Sequence, residues 1–373
     1  MKIAILKERH AGETRVAATP DTVKKLVGAG HEIQIEKGAG ASASLPDELY
    51  EAAGAKLGTL AATLKGADAV YAVKSPDEAT LAKLPKGCVL VALLEPHGDK
   101  AQAKALAAAG IDALAMEFTP RITRAQAMDA LSSQSNLAGY RAVIEASQIY
   151  HRAFPMMMTA AGTVAAAKAF VMGAGVAGLQ AIATARRLGA VVTATDVRPA
   201  AKEQVASLGA KFIAVEDDEF KEAETSGGYA KEMSKAYQAK QAELVANHIA
   251  KQDVVVTTAL IPGRPAPKLI TKEMVERMKP GAVIVDLAAP AGGNCELTKA
   301  DEIVEHNGVS IAGFSNLPGR LAADASSLYA RNLVNLTPLL VDDEGKKAPH
   351  WDDEIIVGMA LTRDGKVVHE TLK

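Results

Sequence analysis

The amino-acid sequence predicts an α/β fold: two doubly wound parallel-sheet domains linked by long helices, with the first domain discontinuous. Apolar strand-like runs alternate with helical stretches along the chain, and this alternation is typical of parallel sheets covered by helices. A length of 373 residues and a hydrophobic content of 49% are sufficient for two cores. A helical stretch follows the last strands of the second half, which indicates that the chain returns to its first domain.

The first domain is predicted to comprise residues 1–135 and 320–373. Its strands are expected at residues 2–6, 32–35, 69–73, 89–93 and 113–116, and its helices near residues 20–29 and 100–109. After the second strand, the segment GAGASA imitates a glycine-rich nucleotide-binding turn. Pro46 lies where the helix of such a turn would already have begun, so we interpret this segment as an ordinary loop.

A polar stretch, TPRITRAQAMDALSSQSNLAGY, occupies residues 119–140 at the end of the first domain. After Gly139 the sequence is helical to residue 153 and stops before Pro155, which predicts a long helix leading into the second domain. Four polar residues of the stretch could cap helices and form interdomain salt bridges, or could line a site. They are Arg121, Gln126, Asp129 and Ser132.

The second domain, predicted over residues 136–319, begins with a glycine-rich turn between two strands. The run AFVMGAGVAGLQAIATARRLGAVVTATD, residues 169–196, contains an apolar strand, a glycine-rich turn, an amphipathic helix, a second strand and a terminal acid. This is the complete dinucleotide-binding βαβ fingerprint of a Rossmann-like domain. Gly173 permits the tight turn, Gly175 lets the backbone approach a pyrophosphate, and Gly178 lets the helix pack against the strand.

Asp196 ends the second strand of the fingerprint, where a ribose would lie. A carboxylate at this position accepts hydrogen bonds from a ribose diol and repels a 2′-phosphate, which favours NAD(H) over NADP(H). Arg198 leaves an alternative open, because an arginine two residues further on could bind a phosphate or could be a solvated surface charge.

Further strands are predicted at residues 211–215, 253–257, 282–287 and 309–313, and with the two fingerprint strands they make a six-stranded doubly wound sheet. A polar insertion lies between residues 216 and 250, and Gly227, Gly228 and Tyr229 form its centre. Such a loop beside a cofactor site is either a surface connection or a mobile lid. Helical patterns return at residues 316–335 and 354–360.

Composition argues against several classes of ligand. The formal net charge is −2 and basic residues are spread along the chain, so neither nucleic acid nor an anionic membrane is expected as a direct ligand. Cys88 and Cys295 lack metal-ligand spacing, and we predict no metal site. The apolar run at residues 160–172 is short and interrupted, so no direct insertion into a membrane is expected. The charged N-terminal sequence predicts a cytoplasmic setting.

Five segments together resemble one family: PRITRAQAMDALSSQSNLAGYRAV, VMGAGVAGLQAIATARRLGAVVTATDVR, TALIPGRPAP, VDLAAPAGGNCE and RLAADASSLYARNL. They resemble the NAD(H)-binding subunit, or first domain, of proton-translocating NAD(P) transhydrogenase, along essentially the whole chain. The resemblance implies a homodimer that docks against an NADP(H)-binding domain and a membrane-spanning component. Hydride would pass directly from NADH to NADP⁺ on the partner, coupled to proton translocation there. The chain would then be peripheral, at the cytoplasmic face of the inner membrane.

The resemblance also implies how the site is divided. The nicotinamide would be oriented by Arg121, Gln126, Asp129 and Ser132, which suits hydride transfer because that step needs no proton donor. The pyrophosphate would be held by the turn that contains Gly173, Ala174, Gly175, Val176 and Gly178. The adenosine end would contact Asp196, Val197 and Arg198. The loop with Gly228 and Tyr229 would close over the nucleotide, and the cofactor-binding set also includes Ala259 and Leu260.

A related family, the alanine dehydrogenases, provides the alternative of an NAD-dependent amino-acid dehydrogenase. Its pattern matches Arg15 and Lys74, but its chemistry needs a histidine and an aspartate that handle protons. At those positions this sequence has Leu93 and Pro290, and His97 is near but out of register. The transhydrogenase is therefore favoured, and a third possibility, a nucleotide sensor without turnover, stays open.

Overall fold

The structure, a computed structural model, describes residues 1–96, 100–221, 233–261 and 263–372. The chain divides into two compact units, which are Met1–Gln134 with Pro318–Lys373 (unit 1) and Ser135–Leu317 (unit 2). Unit 1 is thus built from both ends of the chain, which confirms the predicted discontinuity. Within the described residues, no helix is both long enough and apolar enough to cross a membrane.

The strands of the described residues have the following bounds. They are β1 (Lys2–Ile5), β2 (Glu32–Glu36), β3 (Lys56–Gly58), β4 (Ala69–Lys74), β5 (Val89–Leu93), β6 (Asp112–Ala115), β7 (Met157–Thr159), β8 (Gly162–Val164), β9 (Lys168–Met172), β10 (Val191–Thr195), β11 (Lys211–Phe212), β12 (Val254–Thr257), β13 (Val283–Asp286), β14 (Ile303–His306), β15 (Val309–Ala312), β16 (Ala360–Arg363) and β17 (Lys366–Val367).

The helices between them are mostly short. They are α1 (Pro20–Gly28), α2 (Asp47–Ala52), α3 (Leu60–Leu64), α4 (Glu78–Leu81), α5 (Lys100–Ala108), α6 (Ala130–Ile149), α7 (Val176–Arg187), α8 (Ala201–Ser207), α9 (Asp218–Lys221), α10 (Lys235–Ile249), α11 (Lys272–Glu276), α12 (Ala322–Leu336) and α13 (Glu354–Met359). Short 3₁₀ turns lie at Ala41–Ala43, Met116–Phe118, Thr123–Met128, Ala289–Ala291, Pro318–Leu321, Thr337–Leu340 and Glu370–Leu372.

The sheet of unit 1 has the strand order β17-β16-β6-β5-β4-β1-β2-β3. The strands β1 to β6 pair in parallel, whereas β16 is antiparallel to β6 and β17 is antiparallel to β16. The five strands that the sequence predicts are confirmed as β1, β2, β4, β5 and β6. The sequence pattern missed β3 and β17, which have only three and two residues, and β16, which begins at the last residue of the predicted helix at residues 354–360.

Both faces of this sheet are covered, as expected for parallel strands. Ile3 and Ile5 of β1 belong to one buried cluster, which includes Tyr329 of α12. Ala4, which lies between them, belongs to the cluster on the opposite face, together with Leu106 of α5. Because successive side chains of a strand point to opposite faces, one strand contributes to both cores.

The sheet of unit 2 has the order β11-β10-β9-β12-β13-β15-β14. The six predicted strands are confirmed. When they are numbered along the chain their order is 3-2-1-4-5-6, which is the doubly wound order of dinucleotide-binding domains. The direction of winding reverses between β9 and β12, and this place is called the switch point of the sheet. Ligands of such sheets bind beside the switch point, at the carboxyl ends of the strands.

One strand of the main sheet of unit 2 was missed, although its signal is in the sequence. β14 pairs antiparallel with β15 through a turn at Asn307 and Gly308, whose φ angles are 49° and 74°. Two consecutive residues with positive φ are typical of a type I′ hairpin turn, for which Asn-Gly is the preferred pair. A second hairpin, β7 with β8, lies outside the main sheet and was also not predicted.

The structure corrects one predicted helix and one predicted loop. The long helix α6 begins at Ala130 and ends at Ile149, so Gly139 lies within it rather than before it. A Cβ atom on Gly139 would lie 2.0 Å from the carbonyl oxygen of Ala177, so this glycine is needed for close packing and does not interrupt the helix. The predicted polar insertion at residues 216–250 contains the helix α10, whose Ile249 is buried in the core. Residues 222–232, which include Gly227, Gly228 and Tyr229, lie outside the described residues.

Candidate functional site

The glycine-rich turn of unit 2 joins β9 to α7, and the structural environment differs among its three glycines. Gly173 has a φ of 105°, and a Cβ atom there would lie 2.5 Å from Thr258 Oγ1. A Cβ atom on Gly178 would lie 1.8 Å from the carbonyl oxygen of Gly173. At Gly175, by contrast, a Cβ atom would meet no atom within 4 Å. The packing of the protein itself therefore requires glycine at 173 and 178, while Gly175 faces open space.

The N-terminus of α7 is suited to an anion. The residue before the helix, Gly175, offers no side chain to cap it, and the first turn of the helix carries no acidic residue. The backbone N–H groups of a first helical turn have no acceptor within the helix, and the helix dipole places partial positive charge there. A helix of 12 residues that begins beside open space can therefore hold a phosphate group.

Asp196 connects the end of β10 to the glycine-rich turn. Its Oδ2 accepts a hydrogen bond of 2.7 Å from the backbone N–H of Ala174, and its Oδ1 accepts one of 2.9 Å from the backbone N–H of Arg198. The guanidinium of Arg198 also donates to both oxygens, at 2.9 Å from Nε and 3.1 Å from Nη2. Arg198 is therefore part of an ion pair, and its side chain stays 33% exposed.

On the other side of the switch point, the chain continues from β12 into residues 258–261. Thr258 Oγ1 donates a hydrogen bond of 3.1 Å to the carbonyl oxygen of Gly173, which ties this segment to the glycine-rich turn. Ala259 donates its N–H to Asn294 Oδ1 at 3.0 Å, and Asn294 Nδ2 donates to the carbonyl oxygen of Ala259 at 2.8 Å. Leu260 is 55% exposed. The predicted residues Ala259 and Leu260 thus flank the turn, on a backbone that Asn294 holds.

Exposed apolar side chains lie at the carboxyl ends of three neighbouring strands. Val176 follows β9, Val197 follows β10, and Leu260 and Ile261 follow β12. Because these strands are adjacent in the order β10-β9-β12, the four side chains share one edge of the sheet with Gly175. Single exposed apolar residues are common, but a group at the switch point of a doubly wound sheet suits the flat faces of bound rings.

Asp286, the last residue of β13, is a functional candidate that sequence reasoning missed. Its carboxylate is fully buried. Oδ1 accepts hydrogen bonds of 2.9 Å from Thr257 Oγ1 and from the backbone N–H of Ala288. Oδ2 accepts bonds of 3.0 Å from the N–H of Cys295 and 2.6 Å from Thr298 Oγ1. Four hydrogen bonds to one carboxylate offset the cost of its burial and fix the loop at residues 287–298.

In unit 1, Asp129 and Ser132 are brought together at the start of α6. Asp129 Oδ1 accepts a hydrogen bond of 2.9 Å from the N–H of Ser132, and Oδ2 accepts one of 2.5 Å from Ser132 Oγ. An aspartate that precedes a helix and accepts from its third residue is an N-cap. The capping role that the sequence left open is therefore present for these two residues.

Arg121 and Gln126 are both exposed, and they lie on a segment whose backbone is anchored. Asn332 Nδ2 and Asn335 Nδ2 donate hydrogen bonds of 2.9 Å and 3.0 Å to the carbonyl oxygen of Ala127. These asparagines belong to α12, from the other end of the chain. The segment thus offers exposed polar side chains on a fixed backbone, and nothing in its local sequence predicts the two asparagines as its anchors.

The two residues shared with the alanine dehydrogenase pattern are engaged within unit 1. Arg15 is buried, donates to Glu13 Oε1 and Oε2 at 2.8 Å and 2.7 Å, and donates to Gln134 Oε1 at 2.9 Å. Lys74 Nζ lies 3.2 Å from Glu95 Oε1. Donors that already have partners in the protein are less available to a substrate carboxylate. His97 lies outside the described residues.

A carboxyl group outside the predicted set, Glu8, lies at the carboxyl end of β1. Its oxygens accept hydrogen bonds from the backbone N–H groups of Val73 at 2.6 Å and Lys74 at 3.3 Å. Burial raises the pKa of Glu8 to about 7, against the effect of these hydrogen bonds, and the nearby charge of Glu13 also raises it. Glu8 therefore changes its protonation state close to neutral pH.

Neither cysteine is a candidate nucleophile. Burial raises the pKa of the Cys88 thiol to about 12 and also raises the pKa of Cys295. A thiol in an apolar environment is unreactive because the thiolate is the nucleophile. Within the ranges that the structure describes, no group of His, Cys, Asp and Glu side chains could hold a metal ion.

The described site residues thus form two groups, one in each unit. Unit 2 brings together the glycine-rich turn, Asp196, Arg198 and the segment with Ala259. Unit 1 brings together Asp129 and Ser132, on the same stretch of chain as the exposed Arg121 and Gln126. The group in unit 2 offers an anion site and a paired carboxylate. The group in unit 1 offers exposed polar side chains beside a capped helix start.

Comparisons with known proteins point to one family. The family model "Alanine dehydrogenase/PNT, N-terminal domain" matches residues 4–138, and "Alanine dehydrogenase/PNT, C-terminal domain" matches residues 142–370. An NAD(P) transhydrogenase alpha-subunit chain of Rhodospirillum rubrum is 55% identical over 379 residues, which cover 100% of this chain and 99% of that protein. The alanine dehydrogenase of Halomonas elongata is 30% identical over 381 residues, which cover 100% of this chain and 96% of that protein.

Comparison with solved structures finds members of the same family. The structure of a transhydrogenase from Sinorhizobium meliloti has a TM-score of 0.91 and 54% sequence identity, and the match covers 99% of this chain and 100% of that chain. A structure of L-alanine dehydrogenase has a TM-score of 0.83 and 24% identity, with 100% of this chain and 98% of that chain covered. The second likeness is one of fold, because a fold alone does not define a reaction.

Proposed function

Since the chain belongs to the alanine dehydrogenase/PNT family, and within it to the NAD(P) transhydrogenase alpha subunits, we propose that it binds NAD(H) and exchanges hydride with NADP(H) held by a partner. The observation that carries the proposal is the arrangement at the switch point of unit 2. There, the uncapped N-terminus of α7, the open position at Gly175 and the carboxylate of Asp196 lie at the ends of adjacent strands.

Each part of this arrangement corresponds to one part of the nucleotide. The pyrophosphate would accept hydrogen bonds from the backbone of Gly173 to Gly178 at the start of α7. The adenosine ribose would lie beside Asp196 and Arg198, with Val197 against the adenine. The exposed apolar side chains Val176 and Leu260 would cover the rest of the ring faces, because they stand at the same edge of the sheet.

The nicotinamide would be oriented by the group in unit 1. Gln126 and Arg121 are exposed polar side chains on an anchored backbone, and Asp129 and Ser132 set the start of the helix that follows. An amide side chain can both donate to and accept from a carboxamide, so Gln126 is suited to fix the rotation of the nicotinamide ring. In the reaction a hydride leaves C4 of NADH and joins C4 of NADP⁺, and no proton is exchanged with the protein.

The absence of a proton from the hydride transfer favours transhydrogenation over amino-acid oxidation for this chain. Oxidation of an amino acid also releases a proton from its nitrogen, and a group at the site must take that proton. Leu93 and Pro290, which stand where the alanine dehydrogenase pattern has ionisable residues, cannot take it. Arg15, which matches the alanine dehydrogenase pattern, already donates to Glu13 and Gln134.

The partners follow from the same proposal. The relative from Rhodospirillum rubrum is named as a portion of an alpha subunit, which indicates that other chains complete the enzyme. We infer that this chain forms a homodimer and docks on an NADP(H)-binding domain. The membrane component and the coupling to proton translocation would belong to those partner chains, and this chain would lie peripherally at the cytoplasmic face of the membrane.

The test is an assay of hydride exchange with the NADP(H)-binding domain from the same organism. We expect transfer between NADH and NADP⁺ without any third substrate, and no oxidation of L-alanine by NAD⁺. Transfer that requires L-alanine or pyruvate would overturn the proposal in favour of the dehydrogenase. Binding of NADH without transfer, in the presence of the partner domain, would instead identify a nucleotide sensor.

A further inference from the structure

Two buried polar side chains act on the segment at residues 258–261, which we call the β12 loop, one by direct hydrogen bonds and the other by holding the loop that carries the first. One is Asn294, and the other is Asp286, which is separated from it by seven residues. Both are fully buried. Neither belongs to the predicted site. Asp286 ends β13, the strand next to β12, and Asn294 lies in the loop that follows it.

Asn294 binds the β12 loop as a neighbouring strand would. Its Oδ1 accepts from the N–H of Ala259 at 3.0 Å, and its Nδ2 donates to the carbonyl oxygen of the same residue at 2.8 Å. The Nδ2 also donates to the carbonyl oxygen of Pro267 at 2.9 Å. The side-chain amide thus satisfies both backbone groups of Ala259 at a point where the ladder of the sheet has ended.

The position of Asn294 is itself fixed. Gly292 and Gly293 precede it with φ angles of 94° and 80°, so the chain turns sharply just before it. The N–H of Cys295, which follows it, donates to Asp286 Oδ2 at 3.0 Å. Asp286 Oδ1 in turn accepts from Thr257 at the end of β12, at 2.9 Å. Asn294 is therefore held on both sides, and its amide has little freedom to follow a displaced β12 loop.

The β12 loop lies in the second half of the doubly wound sheet. In such sheets each half is a mononucleotide-binding unit, and a dinucleotide extends from one half to the other across the switch point. Asp196 and the glycine-rich turn belong to the first half. Residues 258–261 belong to the second half, where the nicotinamide riboside of NAD(H) would lie.

We propose that Asn294 is a positioning residue for the nicotinamide half of bound NAD(H), acting through the backbone of Ala259 and Leu260. This inference rests on the proposed function. When the amide is present, the β12 loop is held in place beside the glycine-rich turn before the nucleotide binds. When it is removed, the loop must be ordered at the time of binding, and only ligands that contact the second half lose affinity.

The test compares NADH with ADP, which lacks the nicotinamide riboside, for the full chain and its variants. Asn294→Ala is expected to weaken NADH binding by about tenfold, as the loss of its two hydrogen bonds to Ala259 predicts, and to change the dissociation constant of ADP by less than about twofold. The matched control is Gln252→Ala. Gln252 is also a buried amide of unit 2, but it lies just before β12, at the opposite end of the same strand, and donates to the carbonyl oxygen of His248 at 3.0 Å.

The Gln252→Ala variant is expected to lower the melting temperature and to leave the ratio of the two dissociation constants at its wild-type value. An unchanged ratio in Asn294→Ala, or an equal change in Gln252→Ala, would overturn the positioning role. If the wild-type chain binds neither ligand, the proposed function fails instead, so the two failures can be distinguished.

If Asn294→Ala does not fold, a milder substitution and one measurement on the wild-type chain still test the proposal. Asn294→Ser leaves a smaller cavity and is expected to change the ratio in the same direction. In the wild-type chain, saturating NADH should slow hydrogen exchange at the Ala259 amide more than saturating ADP does. Equal protection by the two ligands would contradict the proposal.

Discussion

We expect the ion pair of Asp196 and Arg198 to set the preference between NAD(H) and NADP(H). The carboxylate lies 2.9 Å from Arg198 Nε and 3.1 Å from Nη2, so the pair as a whole carries almost no net charge. A 2′-phosphate would therefore meet a neutral pair and not the isolated negative charge that the sequence predicts. Substitution of either Asp196 or Arg198 should change the preference between NADH and NADPH, and the two substitutions should change it in opposite directions.

The structure allows a rough magnitude. One unit charge placed about 4 Å from another changes the interaction energy by about 4 kcal/mol at an effective dielectric constant of ~20. The side chain of Arg198 is 33% exposed, while that of Asp196 is 7% exposed, so screening by solvent has to be included. We therefore expect about 2 kcal/mol, or roughly a 30-fold change in the ratio of the dissociation constants for NADPH and NADH.

The variants are Asp196→Asn and Arg198→Leu. Asp196→Asn keeps the shape of the side chain, and its oxygen can still accept the hydrogen bond from Ala174, so the turn is preserved. It leaves Arg198 as a net positive charge and should shift the preference toward NADPH. Arg198→Leu leaves the carboxylate unpaired and should increase the preference for NADH.

Fluorescence titration of both nucleotides at low and high salt measures these ratios. The shifts should be smaller at high salt, because screening weakens interactions between charges that are partly exposed. A shift of both variants in the same direction, or an unchanged ratio in Asp196→Asn, would refute the reasoning.

Three further predictions concern the turn, the nicotinamide end and pH. Gly175→Ala should leave the melting temperature unchanged and weaken NADH binding, whereas Gly178→Ala should destabilise the fold, because its Cβ would lie 1.8 Å from the carbonyl oxygen of Gly173. Thermal melts and NADH titrations of both variants separate the two effects, and equal melting temperatures would contradict the prediction. Gln126→Asn should reduce the rate of hydride transfer by about tenfold or more, with a smaller loss of NADH affinity, because a shorter side chain misplaces the reacting carbon. A lower melting temperature with a normal transfer rate would indicate that Gln126 has a purely structural role. Because burial raises the pKa of Glu8 from 4.5 to about 7 in the folded chain, the free energy of unfolding should fall as pH rises through this interval, by about 3 kcal/mol. Urea denaturation across that range should show this decline in the wild-type chain and not in Glu8→Gln, and parallel curves would exclude it.

Much of the architecture was predictable because its causes are local. The parallel strands of both sheets are short apolar runs between helical stretches, and burial on both faces makes such runs visible in the sequence. The glycine-rich turn was predictable for the same reason, since the φ of Gly173 and the close approach at Gly178 are needs of a single βαβ unit. Even the missed strand β14 had a local signal, the Asn-Gly pair at its turn.

Other features depend on residues that are far apart in the sequence. The local pattern predicts that a helix begins after Gly139, yet this glycine lies within α6. The residue is glycine because the backbone of Ala177 packs against it, and this contact is not visible in the local sequence. The strands β16 and β17 extend the sheet of unit 1 because β6 provides an antiparallel partner for β16, and β16 in turn provides one for β17.

The family, the two α/β units and the position of the nucleotide fingerprint can be predicted from the amino-acid sequence, because each depends on short-range pattern or on many matched residues together. The hydrogen-bond partners of the site residues, in contrast, depend on the folded chain. Arg198 pairs with a carboxylate that Ala174 also holds, and Asn294 binds the backbone of Ala259, 35 residues before it. A hydrogen bond of this kind is set by which strands are neighbours in the sheet, and that order is fixed only when the whole chain has folded.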